Sequence, residues 1–422
     1  MTAQVSFLDG TLSLIHIPLD LYTSLLQPIL KVVLPPSQDP TQSLQANLTS
    51  NSHKHGFLNI SVTPIECSIV CNSAWAQSVF EPAIKRLPRE QAKSVAISKD
   101  TYAALSVYGA GVDAGSRVAD LTSPLALAGI PIFFITTYYS DFILVPIKDR
   151  QVVVKTLLGR GFVFSEDDQS QLISAQPSPT ATSHNHHGFG IFGGYNGPPA
   201  DNPPSSPAHN ELSELQERTF DLLKRRHVTP HVEPGLTLVQ CTGIRGAGIN
   251  HASSLSHRSR GFGANGDSRR GSKTTPSWVD TIDTKLYTSV VAALVAQPHF
   301  LSVTLADEDP PSLLLDRELL GLFGDSVVGP TEGALVPIFL DLADLPFEAT
   351  GIVSGVAGRL VREMGMGNGM AVGMGAVGGD GVGELSYLST ARAGAVILSR
   401  EQAEMALRVL KPLLGREEPG EA

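Results

Sequence analysis

Charge and cysteine are both scarce in this 422-residue chain. Only 17% of the residues are Asp, Glu, Lys or Arg, and 41 acidic against 31 basic side chains leave a formal net charge of −10. A chain that repels phosphate overall is not expected to bind nucleic acid as its main task. The three cysteines, Cys67, Cys71 and Cys241, are too few for a disulfide framework and do not form the paired C-x-x-C motifs of a zinc site. A reducing, cytoplasmic location fits this usage. Long apolar runs are also missing: Asp9, His16, Asp20 and Lys31 interrupt the N-terminal ones, so neither a signal peptide nor a membrane span is expected. No G-x-S-x-G, H-E-x-x-H or Cys-His arrangement is visible, and the expectation is a protein without catalytic activity, cofactor or metal.

Apolar residues are plentiful, at 42%, enough for several cores at about 100–200 residues per domain. An apolar strand feeding a helical segment recurs four times, at Ser68–Cys71, Phe142–Val145, Leu313–Asp316 and Ala395–Leu398. With Val70, Val145, Leu315 and Leu398 as anchors the spacings are 75, 170 and 83. The excess in the middle gap matches two segments poor in apolar residues, 166–210 and 243–277, which read as disordered or loop insertions.

The second repeat is the clearest. A strand at Thr101–Tyr108 leads through a glycine-rich loop, Gly109–Gly115, to a helix from Ser116, an N-cap residue type, to about Ala128. Strands at Ile130–Tyr138 and Asp141–Val145, a helix with Val153/Leu157 and Val154/Leu158 at i,i+4, and a strand at Phe162–Phe164 complete the order βαββαβ, the ferredoxin-like arrangement. The fourth repeat has strands at Leu335–Leu342, Leu385–Thr390 and Ala395–Leu398, with helices from Gly351 and over Arg400–Leu410.

The strand-turn-strand at Ile135–Val145 resembles that of ACT modules, in particular those of the CASTOR family of cytosolic arginine sensors. The likeness extends to Phe347–Val353, Tyr387–Thr390, Leu19–Leu34 and Gly56–Phe80. The fold this implies is α+β: four ferredoxin-like ACT modules in two pairs, with disordered insertions. The modules would span 1–92, 93–165, 231–333 with a disordered loop at 243–277, and 334–414 with a Gly/Met-rich insertion at 364–383. A low-complexity linker with a short helix would occupy 166–230, and a tail 415–422. The resemblance further implies a homodimer that binds an amino acid between modules two and four and controls a GATOR-type complex in TOR signalling. The alternatives are a ligand-independent scaffold and an ACT regulatory subunit of an amino-acid biosynthetic enzyme.

Carried over residue by residue, the resemblance puts the ligand against Ile130, Pro131 and Ile132 of the second module. In the fourth it points to Glu348, Ala349, Thr350, Gly351, Ile352, Val353, Ser389, Thr390 and Gly394. Pro131 stands where the family has a serine, and Ala349 and Gly394 stand where the arginine sensors carry acids. Glu348 is adjacent to Ala349, but neighbouring side chains in extended chain point to opposite sides. A buried guanidinium needs a paired carboxylate, so arginine is disfavoured and a different amino acid or small metabolite is expected. Gly351 opens a helix whose free N–H groups favour an α-carboxylate, and Gly351→Asp is expected to abolish binding while leaving the protein folded.

The remaining motifs read as structural. Gly261–Gly266 spells G-x-G-x-x-G without the flanking strand and helix that pyrophosphate binding needs. His184, His186 and His187 lie in a Ser/Pro/Gly-rich stretch with nothing to fix a metal's geometry. Met364, Met366, Met370 and Met374 fall among glycines. His16 and His299 read as packing residues, and Asp341 and Asp344 as loop aspartates. Ser272, after Arg269-Arg270-Gly271, is a candidate regulatory phosphosite in a basic loop.

Overall fold

The computed structural model describes residues 3–34, 56–108, 116–164, 209–244, 283–306, 309–346, 348–366 and 384–415. The loop 109–115, Gly261–Gly266, Ser272, the histidines at 184, 186 and 187, Met370, Met374 and most of the expected insertions lie outside them. In chain order the strands are β1 (Gln4–Phe7), β2 (Leu12–Ile17), β3 (Phe57–Val62), β4 (Cys67–Asn72), β5 (Ala96–Ile97), β6 (Tyr102–Tyr108), β7 (Phe133–Thr136), β8 (Asp141–Pro146) and β9 (Val163–Phe164). They continue with β10 (Pro230–His231), β11 (Leu238–Gly243), β12 (Leu301–Ala306), β13 (Ser312–Asp316), β14 (Val327–Val328), β15 (Leu335–Asp341), β16 (Ser386–Ser389) and β17 (Ala393–Ser399). The principal helices are α1 (Leu26–Val33), α2 (Arg117–Leu127), α3 (Arg150–Leu158), α4 (His209–Arg225), α5 (Thr284–Val295), α6 (Ile352–Met364) and α7 (Arg400–Leu414).

Pairing is almost wholly antiparallel and divides the strands into two groups. One runs β9-β1-β6-β8-β7-β16-β17-β15-β10. The other runs β5-β2-β4-β3-β12-β13-β11-β14. Single residue pairs, Leu12 with Tyr102 and Leu238 with Leu335, join the groups at their corners. One apolar cluster, including Phe57, Phe142, Phe300, Phe339 and Leu388, draws on strands of both groups and on no helix; it fills the space between the two sheets. A second cluster joins the first sheet to α2, α3, α4, α6 and α7, and a third joins the second sheet to α1 and α5. The layers are helix, sheet, sheet, helix. With both faces covered, β3 and β8 are buried at every position; from Phe142 onward β8 reads as a continuous apolar run rather than an alternating one, whereas β3 carries two buried polar residues, Asn59 and Ser61.

Several expected boundaries shift for local reasons. The strand expected over Ile130–Tyr138 is confined to Phe133–Thr136. Pro131 has no N–H to give a ladder, and the Thr137 N–H and hydroxyl both close a turn onto the Ser140 carbonyl. The same Thr-headed turn caps two other hairpins, Thr63 to Glu66 and Thr390 to Ala393. β9 lies beside β1, which separates it from β6, so the second repeat does not close its own sheet as a plain ferredoxin-like unit would. Ser116 is at the N-cap of α2 but makes no capping bond to the backbone, its hydroxyl donating to Asp120 instead.

The helix expected as a short piece of linker is the 17-residue α4. Leu215, Phe220 and Leu223 are buried in the core, and α4 packs closely on α6. Gly351, Gly355 and Gly358, at helical i, i+4, i+7 spacing, face Leu215, Thr219 and Gln216; a Cβ on Gly355 would stand 2.7 to 3.0 Å from Thr219. Gly355→Val should therefore lose about 1–3 kcal/mol by overpacking, and a smaller amount in a Thr219→Ala background. Urea unfolding of the two single variants and the double variant checks this.

Candidate functional site

The two seams within the sheets are built differently. β3 and β12 zip together over six residue pairs, Leu301–Ala306 against Phe57–Val62. Behind them Asn59, Ser61, Ser302 and Thr304 form a buried side-chain network with donor-acceptor distances of 2.8 to 3.1 Å. Such a network fixes register, since a slip would leave buried polar groups unpaired. β7 and β16 meet in one residue pair, Ile135 with Leu388. On either side hydroxyl groups replace the backbone ladder: Phe134 N donates to Ser389 Oγ at 2.9 Å and Tyr387 N to Thr136 Oγ1 at 3.0 Å.

Over this short seam lies a cavity of about 60 Å³, which at about 30 Å³ per water has room for roughly two waters. Its walls come from the end of α2, the strand β7, the β15–α6 loop, the first turn of α6 and the β16–β17 hairpin. Of the residues singled out from sequence, Ile132, Ala349, Gly351, Ile352, Val353, Ser389 and Thr390 line it. The other five do not. Ile130 is buried in the helix-side core. Pro131 and Glu348 line a separate cavity of about 430 Å³ beside Lys99, Asp100, Lys148 and Arg392. Thr350 is half-buried beside the cavity without lining it. Gly394, expected to face the ligand, gives its space to the Tyr387 hydroxyl, which a Cβ there would strike.

Gly351 is the N-cap of α6, with φ +83° and no side-chain cap. The first backbone bond of the helix runs from Gly355 N to Gly351 O at 2.7 Å, so the N–H groups of Ile352, Val353 and Ser354 have no intrahelical acceptor. The expectation that Gly351→Asp leaves the protein folded does not survive this geometry. Its positive φ disfavours a side chain, and a Cβ would stand 3.1 Å from both Leu215 Cδ1 and Thr219 Oγ1. Tyr387, at 1% exposure, also lines the cavity; its hydroxyl lies against Gly394 with no hydrogen-bond partner among the described residues, and burial holds its ionisation well above the usual phenol range.

Sequence reasoning missed Glu66. This residue, in the β3–β4 turn and fully buried, accepts from Thr390 Oγ1 at 2.6 Å and from Arg392 N at 2.5 Å through one oxygen, while His16 Nδ1 lies 2.5 Å from the other. Ser68 Oγ accepts from Ala391 N. One sheet thus grips the hairpin of the other that floors the cavity. The available signal was a lone acid between apolar strands, in a turn spelled like the later Thr-headed turns. His16 is accounted for by this contact, and Asp341 by accepting from Ala343 N. His299 is exposed, and burial lifts the Cys71 and Cys241 thiols to about 12, far from nucleophilic use at neutral pH.

A second buried acid flanks the seam. Asp141, 2% exposed, pairs with Arg117, which also reaches Glu384 at 3.0 Å. Desolvation raises the Asp141 carboxyl from 3.8 to about 6, against the opposing pull of Arg117.

Residues 97–158 match the ACT domain family, and this segment, with its mixed helix and strand, is an ACT domain. Among curated proteins no sequence match was found. Solved structures with some likeness include protein Atu0741 from Agobacterium tumefaciens, at 19% identity over 39% of this chain and 93% of that one, TM-score 0.25. Aspartate kinase from Synechocystis aligns at 9% identity over 99% of this chain and 57% of that one, TM-score 0.26. The regulatory subunit of aspartate kinase from Thermus thermophilus aligns at 15% identity over 36% of this chain and 96% of that one, TM-score 0.19. Superpositions this loose support nothing further, and the ACT assignment rests on residues 97–158.

Two outcomes follow from the buried acids. In a double-mutant cycle on unfolding free energy, Glu66→Gln and Thr390→Val should couple by about 1 kcal/mol or more; additive losses would show the contact to be energetically idle. Asp141 binds its proton more tightly folded than unfolded, so its contribution to stability is full below pH 3.8 and is lost as pH rises to about 6. Relative to the wild type, Asp141→Asn should remove that downward slope, read from unfolding curves at pH 4 to 7.

Proposed function

We propose that this protein is a non-catalytic, cytoplasmic regulator that binds an amino acid or similar small metabolite in the cavity over the β7–β16 seam. The observation that carries the reading is the composition of that cavity: an uncapped helix start set among apolar side chains, some of them contributed by the ACT domain. Three free N–H groups at a helix start suit a carboxylate, and the apolar walls suit a compact body. In this reading the chain comprises four ACT-like units in two pairs, with units two and four sharing the ligand and units one and three forming the zipped partner sheet.

A ligand that prefers one arrangement of the seam shifts the population toward it. Because Glu66 holds the cavity's hairpin from the opposite sheet, that shift reaches surfaces away from the cavity. The finer reading, a homodimeric CASTOR-type sensor acting on a GATOR-type complex in TOR signalling, rests on the sequence resemblance at Ile135–Val145, Phe347–Val353 and Tyr387–Thr390. The small size of the cavity is the observation that favours the rival, a scaffold needing no ligand; a regulatory subunit of an amino-acid biosynthetic enzyme would instead copurify with that enzyme.

The test is a thermal-shift measurement with a mixture of the twenty amino acids, on the wild type and on Ala349→Phe, whose ring should fill the cavity from a half-buried position. A ligand restricted to the native state raises the melting temperature. Saturable stabilisation of the wild type and none of the variant is the expected result. Equal stabilisation of both would place binding elsewhere, and stabilisation of neither would leave the scaffold.

A further inference from the structure

We infer that a second ligand site lies over the β3–β12 seam, and that it takes a small organic ammonium ion with a compact apolar body. The elements around that seam repeat those around the β7–β16 seam. There the uncharged cavity is bounded by the end of α2 and the approach to β7, by the β15–α6 loop, and by a hairpin turn headed by Thr390. In the other sheet the corresponding pieces are the end of α5 and the approach to β12, the β2–α1 loop, and the β3–β4 turn headed by Thr63. They border an open cavity of about 360 Å³, with Gln297 to His299, Leu19 and Tyr22, and Val62 to Pro64 on its walls. That volume falls within the range of about 300–1,000 Å³ usual for small-molecule sites.

One acid reaches this cavity. Glu233 enters it from the β10–β11 loop, where Leu236 N donates to Glu233 O at 3.3 Å across Pro234 and Gly235, the glycine at φ +85°; these are the residues of a type II turn. The Glu233 side chain is 31% exposed, and among the described residues its carboxylate accepts no hydrogen bond, His231 Nε2 standing 4.0 Å away. A half-buried carboxylate without a donor favours a cation that brings its own N–H groups. α5 ends two residues before Gln297, so the negative end of its dipole lies beside the same space. The remaining polar side chains on the two loops are committed: the Tyr22 hydroxyl donates to the Leu294 carbonyl at 2.7 Å, and the Thr63 hydroxyl closes its own turn. No Lys or Arg lines the cavity, and Leu19, Val62, Pro64 and Pro298 give it apolar walls. An amine with a branched aliphatic body meets both features, whereas an added carboxylate would find no cation. The turn headed by Thr63 also carries Glu66, so an occupant here bears on the contact between the two sheets.

The inference does not depend on the reading of the cavity over the β7–β16 seam, and its test separates the two. The full chain is titrated calorimetrically with isopentylamine and with isopentanol, its neutral counterpart of the same shape. Expected are saturable binding of the amine and at least tenfold weaker binding of the alcohol. Glu233→Gln should weaken the amine about tenfold, and Leu19→Arg, which sets a cation beside Glu233 from an exposed position, should abolish its binding. Wild-type melting temperatures show that the variants are folded, and either variant alone suffices for the test. Ala349→Phe and Glu348→Gln, which alter the other two cavities, should bind the amine as the wild type does. Equal affinity for amine and alcohol, no saturable binding of the amine at millimolar concentration, or full binding in folded Glu233→Gln or Leu19→Arg would overturn the inference. Loss of binding in Glu348→Gln would place the amine in the charged cavity, and loss in Ala349→Phe over the other seam; each overturns it as well. None of these results bears on whether the cavity over the β7–β16 seam takes an amino acid.

Discussion

β7 and β16 share one residue pair, and the hydroxyls of Thr136 and Ser389 accept the backbone N–H groups that a longer ladder would have used. Those two backbone donors are thereby satisfied, as burial requires, but two single side-chain bonds resist separation less than a continuous ladder does. The opposite sheet closes its corresponding seam over six pairs with a polar network behind it. The molecule therefore has one rigid seam and one yielding seam, and its uncharged cavity sits over the yielding one. Glu66 ties the two together, because its carboxyl group belongs to the rigid sheet and its donors to the hairpin beside the cavity.

In the proposed reading, that arrangement gives a physical route from a small ligand to a distant surface. Occupying the cavity bears on α6, on the β16–β17 hairpin and, through Thr390 and Arg392, on the β3–β4 turn of the other sheet. α6 in turn rests on α4 through Gly351, Gly355 and Gly358 with almost no free space, so a displacement of its first turn is passed on rather than absorbed. Among the described residues no helix is long and apolar enough to cross a membrane.

Much of the element order was legible in the sequence, for a reason specific to this architecture. Strands covered on both faces carry mostly apolar residues, so Phe142–Val145 and Ala395–Leu398 stand out as continuous runs, and their fixed relation to the following helices exposes the repeat. The cavity was partly legible, since Gly351 to Val353 and Ser389 to Thr390 follow from motif position along one hairpin and one helix start. Pro131 and Glu348 line the other cavity, and the space at Gly394 is taken by the Tyr387 hydroxyl, a contact that spacing does not encode. The hold of Glu66 on Thr390 and the packing of α4 on α6 were missed because these partners lie more than 130 residues apart in sequence, and a long-range contact leaves no periodic trace. The Gly351, Gly355, Gly358 spacing was the one available hint that a second helix sits against α6.

The central claim is that the cavity over the yielding seam is a ligand site coupled to the opposite sheet. Hydrogen exchange of the full chain, followed by mass spectrometry with and without a mixture of the twenty amino acids, addresses it most directly, because protection reports local opening peptide by peptide. The account predicts slower exchange with ligand in three places together: the start of α6, the β16–β17 hairpin, and the β3–β4 turn that carries Glu66. Protection confined to the charged cavity near Lys99 and Lys148, or protection of the hairpin with none in the β3–β4 turn, would contradict it.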